Sequence, residues 1–245
     1  MASPVKLYQR EMHDNLGFFA NWFPTDPVAV GDAGLLEGGR FRRMSSLKEL
    51  GIVCRRSISS DGQDVYYTST RGTKLDAGGG VAGQAPVTAK VTLEFSRSGA
   101  FVFHATGLRV ERLENRSAVA DALVEAYQQK RWDKKWLLIE AIHVADRATI
   151  VVSEDKSAGL ELMADASGVA PIASLADPRV NLQVTSMRGK LVHVIGASGL
   201  KPLYSCLRVR APIVGVPSTR PVRGTARSGV EEVLSRPSIN ELLDS

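Results

Sequence analysis

Between Val87 and Phe95 the side chains alternate without a break: Val87, Ala89, Val91, Leu93 and Phe95 are separated by Thr88, Lys90, Thr92 and Glu94. A two-residue period places one set on each face of an extended chain, so the segment predicts a strand with one apolar and one wet face. "SRSG", Ser96 to Gly99, then turns the chain, and Phe101, Phe103 and Ala105 resume the alternation before Leu108 and Val110. The expectation is an amphipathic hairpin whose apolar face carries Val87, Ala89, Val91, Leu93, Phe95, Phe101 and Phe103.

Further strand patterns dominate the chain. "VAVGDAGLLEGGRFRRM" reads as two short strands around the turn Glu37 to Gly39, and strands are expected near Ile52 to Ser57 and in "VYYTST" after the turn "SSDGQD". "KWLLIEAIHVADRATIVVSED" predicts a buried strand, a bend near Ala145 to Arg147 and a second strand from Ala148 to Ser153. Ala158 to Ala164, Val180 to Ser186, Lys190 to Ile195 and "PLYSCLRVRAP" complete the set, with "MRG" as a turn. Helices are few. Leu7, Tyr8, Met12, Leu16, Phe19 and Phe23 recur at helical spacing until Pro24 and Pro27. "SSLKELG" predicts a single capped turn, and Ser117 is placed to cap a helix burying Val119, Leu123, Val124 and Tyr127. The fold class is therefore α+β: a large twisted antiparallel sheet with a few helices and a short C-terminal tail. Residues 1–212 are expected to form a single α+β domain, 213–227 a flexible basic linker and 228–245 an acidic amphipathic tail.

Charge follows the same division. The chain carries +5, yet its last eighteen residues hold four acids and one arginine, a net of −3, which leaves +8 on the preceding 227 residues. A basic body favours anionic lipid, nucleic acid or acidic protein partners. Tail side chains Val230, Val233, Leu234, Ile239, Leu242 and Leu243 are spaced for docking in two short amphipathic turns broken at Pro237. Segments that short are not stable alone.

Motifs that would carry chemistry are missing or misplaced. "GGGVAG", Gly78 to Gly83, has the spacing of a dinucleotide fingerprint but is followed by a proline and a strand rather than by a helix N-terminus. The four histidines show no metal-ligand spacing, and Glu140, His143 and Asp146 form the best acid–base cluster the sequence offers. Cys54 and Cys206 stand far apart and read as core thiols. No catalytic residue, cofactor or metal site is expected, and the chain is read as non-enzymatic. Nor does any run approach the ~20 apolar residues of a membrane-spanning helix, and the N-terminus lacks a secretory pattern, so the expected address is cytoplasmic.

Two features are left for binding. Phe18, Phe19, Trp22 and Phe23 concentrate aromatics in "FFANWF", which reads as a hydrophobic plug on the sheet or an element released on activation. "RFRR", "CRR" and "KRWDKKW" mix cations with aromatics or apolar neighbours, but none matches a known nucleic-acid module, and nucleic acid is not the expected partner.

The stretch "KRWDKKWLLIEAIHVADRATIVV", Lys130 to Val152, where a helix with a charged exit leads into apolar strands, resembles a gasdermin pore-forming domain of the compact microbial kind. The general plan is similar too: a basic body, an amphipathic hairpin after a glycine-rich loop, and a short tail beyond a linker. That resemblance implies a cytoplasmic, autoinhibited protein that associates with anionic membrane lipid after an activating protease frees the tail, then assembles into a homo-oligomeric pore in a cell-death or antiviral defence response. Arg220, Arg223 and Arg227 would be the protease-accessible linker positions. Microbial members commonly carry an acylated cysteine near the N-terminus, whereas the first cysteine here is Cys54. The alternative expectation is a cytoplasmic adaptor module whose C-terminal peptide recruits a partner protein.

Overall fold

A computed structural model describes residues 3–78, 88–165, 171–177, 179–209 and 234–239. In chain order the first elements are helix α1 (Pro4–Leu16) and strands β1 (Phe19–Ala20), β2 (Asp32–Glu37), β3 (Arg40–Ser46), β4 (Arg56–Ile58), β5 (Gln63–Thr68), β6 (Thr73–Gly78) and β7 (Thr88–Phe95). There follow β8 (Phe101–Leu113), α2 (Arg116–Gln128), β9 (Leu137–Ser153), β10 (Ala158–Asp165), α3 (Pro171–Ser174), β11 (Asn181–Arg188), β12 (Leu191–Val209) and β13 (Leu234–Ser235). The strands form a nine-stranded sheet and a four-stranded sheet, the second in the order β11-β10-β7-β6. Its pairings are antiparallel throughout, as are β2 with β3 and β5 with β8. The fold is α+β with a large antiparallel sheet, as the alternation predicts.

Two compact units make up the chain. One comprises residues 1–25, 59–109 and 143–203, the other residues 26–58, 110–142 and 204–245.

In the first unit, β8 has no wet face along its opening residues. Phe101, Phe103 and Ala105 pack with Tyr8 and Met12 of α1, with Trp22 and with Leu203 of β12. Val102, with Ala100 just before the strand, packs with Val91, Leu93 and Phe95 of β7 and with Leu160 and Leu162 of β10. A strand covered on both faces belongs to the middle of three layers. This corrects the expected hairpin. The turn at 96–99 does join β7 to β8, but β7 pairs with β6 and β10, while β8 pairs with β4, β5 and β9. Alternation identified the inner face of β7, but in β8 it is Ala100 and Val102 that meet that face across a sandwich, while Phe101 and Phe103 turn to the opposite core.

Helix α1 is shorter than the apolar spacing suggests. Ser3 caps it by accepting from the Lys6 amide at 3.3 Å, and Pro4 opens it. Gly17 closes it in the left-handed region at φ 73°, returning its amide to His13 at 2.8 Å. The aromatics beyond Gly17 therefore lie in β1 and the bends on either side of it, not on the helix.

Two other boundaries shift for polar reasons. The bend expected at 145–147 is absent, because Asp146 pairs with Arg109 and Arg147 donates to the Val180 carbonyl at 2.8 Å without interrupting the 17-residue β9. Likewise β12 runs unbroken for 19 residues where two strands were expected, with Gly196 and Gly199 at φ 57° and 66° absorbing the irregularity.

In the second unit, β2 and β3 form the expected hairpin, Glu37 opposite Arg40. Helix α2 buries Val119, Ala120, Leu123 and Ala126, while Val124 and Tyr127 are only half-buried. Its N-cap position is Asn115 rather than Ser117. The Asn115 side chain accepts from the Arg55 amide and donates to the Val53 carbonyl, each at 2.8 Å, so it fastens the helix entry to the neighbouring loop. The "SSLKELG" segment is a turn, with Ser46 rather than Ser45 accepting from the Glu49 amide at 3.2 Å.

Leu93 is fully buried on the inner face of β7 and Thr92 half-buried on the outer one. Leu93→Ala is expected to lower the unfolding free energy by about 3 kcal/mol, and Thr92→Ala to change it by less than about 0.5 kcal/mol. Urea denaturation of both variants measures the difference.

Candidate functional site: a docked C-terminal segment

The described part of the tail returns to the body of the second unit. Leu234 and Ser235 pair antiparallel with the end of β12, Val209 opposite Leu234 and Arg208 opposite Ser235. Leu234 is 1% exposed and Ile239 7%, with Pro237 buried between them. Of the expected docking side chains these two are therefore placed against the protein; Val230, Val233, Leu242 and Leu243 lie outside the described residues. So do the linker positions Arg220, Arg223 and Arg227.

One charged contact anchors the segment. Arg236 donates through Nε to Glu140 Oε1 at 3.1 Å, and Arg116 of α2 approaches Glu140 Oε2 at 3.4 Å. The Glu140 side chain is only 9% exposed, whereas that of Arg236 is 65% exposed. A carboxylate set into the apolar run of β9 requires compensation. Arg236 supplies part of it from a segment otherwise held by two-residue pairing and by burial of Leu234, Pro237 and Ile239. Cys206, fully buried on β12, has its thiol pushed far above the ordinary range by burial and then by the Glu140 carboxylate, so it stays neutral and unreactive. Cys54 is only partly buried; burial raises its thiol too, and Arg56 opposes the shift.

The aromatic stretch belongs to the first unit. Phe19 and Trp22 are buried, and Phe18 and Phe23 half-buried. Trp22 meets Tyr8 edge-on at 6.1 Å, Tyr8 meets Phe101 at 4.8 Å, and Phe18 lies against His143 at 4.1 Å. Burial raises the Tyr8 phenol well above its usual value, and the hydroxyl has no hydrogen-bond partner among the described residues. The layer is secured by Asn21, whose amide donates to the Pro202 carbonyl at 2.8 Å, and by Glu11, which receives the Thr70 amide and Arg97 at 2.6 Å.

Val91, Leu93 and Phe95 face one core of that unit, and Phe101 and Phe103 face the other. Ala89 lies in β7 opposite Ala164 of β10; Val87 is outside the described residues. The outer side of β6, β7 and β10 is polar, with Lys90 at 3.0 Å from Glu161 and Lys74 at 3.7 Å from Glu94.

The sequence cluster Glu140, His143 and Asp146 does not act as a set: its members go respectively to arginines, to the Phe18 ring and to Arg109. A depression of about 430 Å³ lined by Asp64, His104, Asp146 and Asp177 has each carboxylate engaged, by the Gly107 amide, Arg109 and Arg179. Asp177 is held down at about 2 by its bonds to Arg179. Sequence reasoning missed Arg236 as the anchor and Glu140 as its seat. A lone acid inside "LLIEAI" was the available signal, since such a position demands a cation.

No protein-family model matches the sequence, and no curated protein matches it. Among solved structures, the chain is similar to a cryo-EM structure of the gasdermin A3 membrane pore. Identity is 12% over 90% of this chain and 98% of that chain, at a TM-score of 0.34. At that score the two folds are not equated. Among the described residues, no helix is long and apolar enough to cross a membrane, which leaves crossing by strands open.

Loss of the Arg236 contact is worth about 1 kcal/mol, a charge-assisted bond discounted for the exposure of the arginine. Arg236→Ala is accordingly expected to speed hydrogen exchange at the Leu234 and Val209 amides about five-fold, with the β2–β3 hairpin unchanged. Mass spectrometry of exchanged peptides reads both regions.

Proposed function

We propose that this chain is a non-enzymatic, membrane-permeabilising protein held inactive by its C-terminal segment. The observation that carries the reading is the mode of docking: Leu234 to Ile239 are seated by a two-residue strand, by burial of Leu234, Pro237 and Ile239, and by one ion pair on a buried carboxylate. A contact of that size holds while tethered and is lost once the tether is cut, because the local concentration of the segment collapses.

The rest of the chain suits the same reading. Strands of 13, 17 and 19 residues exceed the 9–11 residues of a typical membrane-crossing strand. The β7 and β10 strands alternate apolar and polar side chains, as a barrel wall between lipid and water does. Closure into an oligomeric barrel would pair the edges of β6 and β11 that have no partner strand among the described residues, which satisfies the backbone in lipid. Cleavage in the linker at Arg220, Arg223 or Arg227 would release the acidic tail and leave a more basic body, so the cut protein would hold an anionic membrane more tightly than the intact one and insert into it. As an adaptor, the chain would need Leu234 and Ile239 available to a partner, and both are buried on its own body.

Dye release from vesicles containing phosphatidylserine tests the proposal. The intact chain is expected to leave them sealed, and the chain severed after Arg227 and freed of its tail to empty them. Sealed vesicles in both cases, with the severed body folded by circular dichroism, would reject pore formation.

A further inference from the structure

We infer that the turn between α2 and β9, Lys130 to Trp136, is the surface on which the protein meets the phosphates of anionic lipid headgroups. The inference rests on the membrane reading above and supplies the contact surface that reading lacks.

The first observation is a strained backbone. Helix α2 ends in a Schellman arrangement: the Lys130 amide donates to the Tyr127 carbonyl at 3.0 Å and the Arg131 amide to the Ala126 carbonyl at 2.8 Å. That arrangement puts Lys130 in the left-handed region at φ 57°, and among the described residues it is the one residue other than glycine found there. Glycine is the residue that position favours, and a lysine there destabilises the fold. Strain kept at a surface turn marks a side chain retained for something other than stability.

The second observation is uncompensated charge. In the same unit several strand arginines find carboxylates: Arg43 reaches Asp32 at 3.0 Å and Glu49 at 2.7 Å, and Arg56 reaches Glu111 at 3.1 Å. No ion pair among the described residues involves Lys130, Lys134 or Lys135, and all three are exposed. The acid between them is occupied. Asp133 accepts the Lys135 amide at 2.7 Å through its side chain and the Trp136 amide at 3.0 Å through its carbonyl, which folds the turn and projects Lys134 and Lys135 from its tip. Arg131 is tied back to the Leu50 carbonyl at 2.9 Å.

The third observation selects the partner. The turn lines an open depression of about 680 Å³ floored by Trp132 and Trp136, whose rings meet edge-on at 5.5 Å. Trp132 is 3% exposed and Trp136 half-buried. Binding to single-stranded nucleic acid uses several free aromatic faces for base stacking, and here Trp132 is buried, which leaves Trp136 alone of the two indoles within reach. A half-buried indole beside unpaired lysines is the composition of a membrane–water boundary.

The test uses the full-length chain and co-sedimentation with vesicles of phosphatidylcholine alone or mixed with phosphatidylserine. Each lysine near an anionic surface contributes about five-fold in partitioning, so the triple variant Lys130→Gly, Lys134→Gln, Lys135→Gln is expected to bind the mixed vesicles roughly 100-fold more weakly. Arg42→Gln, which removes a cation already paired with Glu37, is expected to change binding less than two-fold. Lys130→Gly alone is expected to raise the thermal midpoint while weakening binding, a pairing of effects that damage to the fold cannot produce. Wild-type binding is expected to weaken with salt and to be absent on phosphatidylcholine.

Equal binding by the triple variant and the wild type overturns the inference, as does failure of the wild type to bind the mixed vesicles. A tryptophan fluorescence change saturated by inorganic phosphate, without vesicle binding, overturns the membrane as the source of the phosphate. Dye release by the severed chain is a separate readout: lysine-dependent binding without leakage rejects the pore and retains this surface, and leakage with lysine-independent binding does the reverse.

Discussion

The first unit depends on the two-sided burial of β8. Phe101 and Phe103 enter one core and Ala100 and Val102 the other, all of them fully buried. Fully burying a side chain as large as Phe is worth roughly 1.5–3 kcal/mol, so neither covering layer can leave without a large apolar cost. The helix and aromatic stretch on one side, and the four-stranded sheet on the other, are held chiefly by that strand. An amphipathic sheet so placed is stable in water only while its apolar side has a partner. Lipid could replace that partner; water could not.

The hydrophobic pattern reports which way a side chain points and says nothing of which strand lies alongside. For β7 the strict alternation was sufficient to assign Val91, Leu93 and Phe95 to an inner face. Its neighbours were not legible, since β10 pairs with it from more than sixty residues further along the chain. The same limit applies to length. Asp146 and Arg147 look like a break because two adjacent polar residues usually mark one, yet each has a partner, Arg109 and the Val180 carbonyl, that only tertiary structure brings near. Chain ends of elements depended on local chemistry: the apolar spacing runs on to Phe23, but Gly17 in the left-handed conformation is where the helix stops.

The tail divides similarly. Leu234 and Ile239 were legible as docking residues from their spacing, because apolar side chains in an acidic, proline-broken segment have little reason to exist in solvent. Arg236, the lone cation of that segment, was legible only as a charge. Its meaning comes from Glu140, an acid in the middle of an apolar strand that already has Arg116 and accepts a second arginine. Local pattern suggested acid–base chemistry for Glu140. Burial converts it instead into a fixed negative point to which Arg236 of the C-terminal segment is fastened.

The second unit thus treats its charges in two opposite ways. At Glu140 one buried carboxylate holds two arginines, and specificity comes from geometry, since a poorly placed cation would not offset the desolvation. At Lys130, Lys134 and Lys135 three exposed ammonium groups have no carboxylate partner among the described residues, one of them at a backbone conformation that a glycine would occupy at lower energy. A surface selected for solubility alone would have no need of the second arrangement, because interspersed acids would serve as well without the strain. The difference separates a contact satisfied within the molecule from one whose counter-charge, on the inference drawn above, is lipid phosphate. Screening sharpens the distinction: the buried pair is little affected by salt, whereas the lysine turn acts only within about a Debye length of its target, where a densely charged surface holds many phosphates and a free anion presents one.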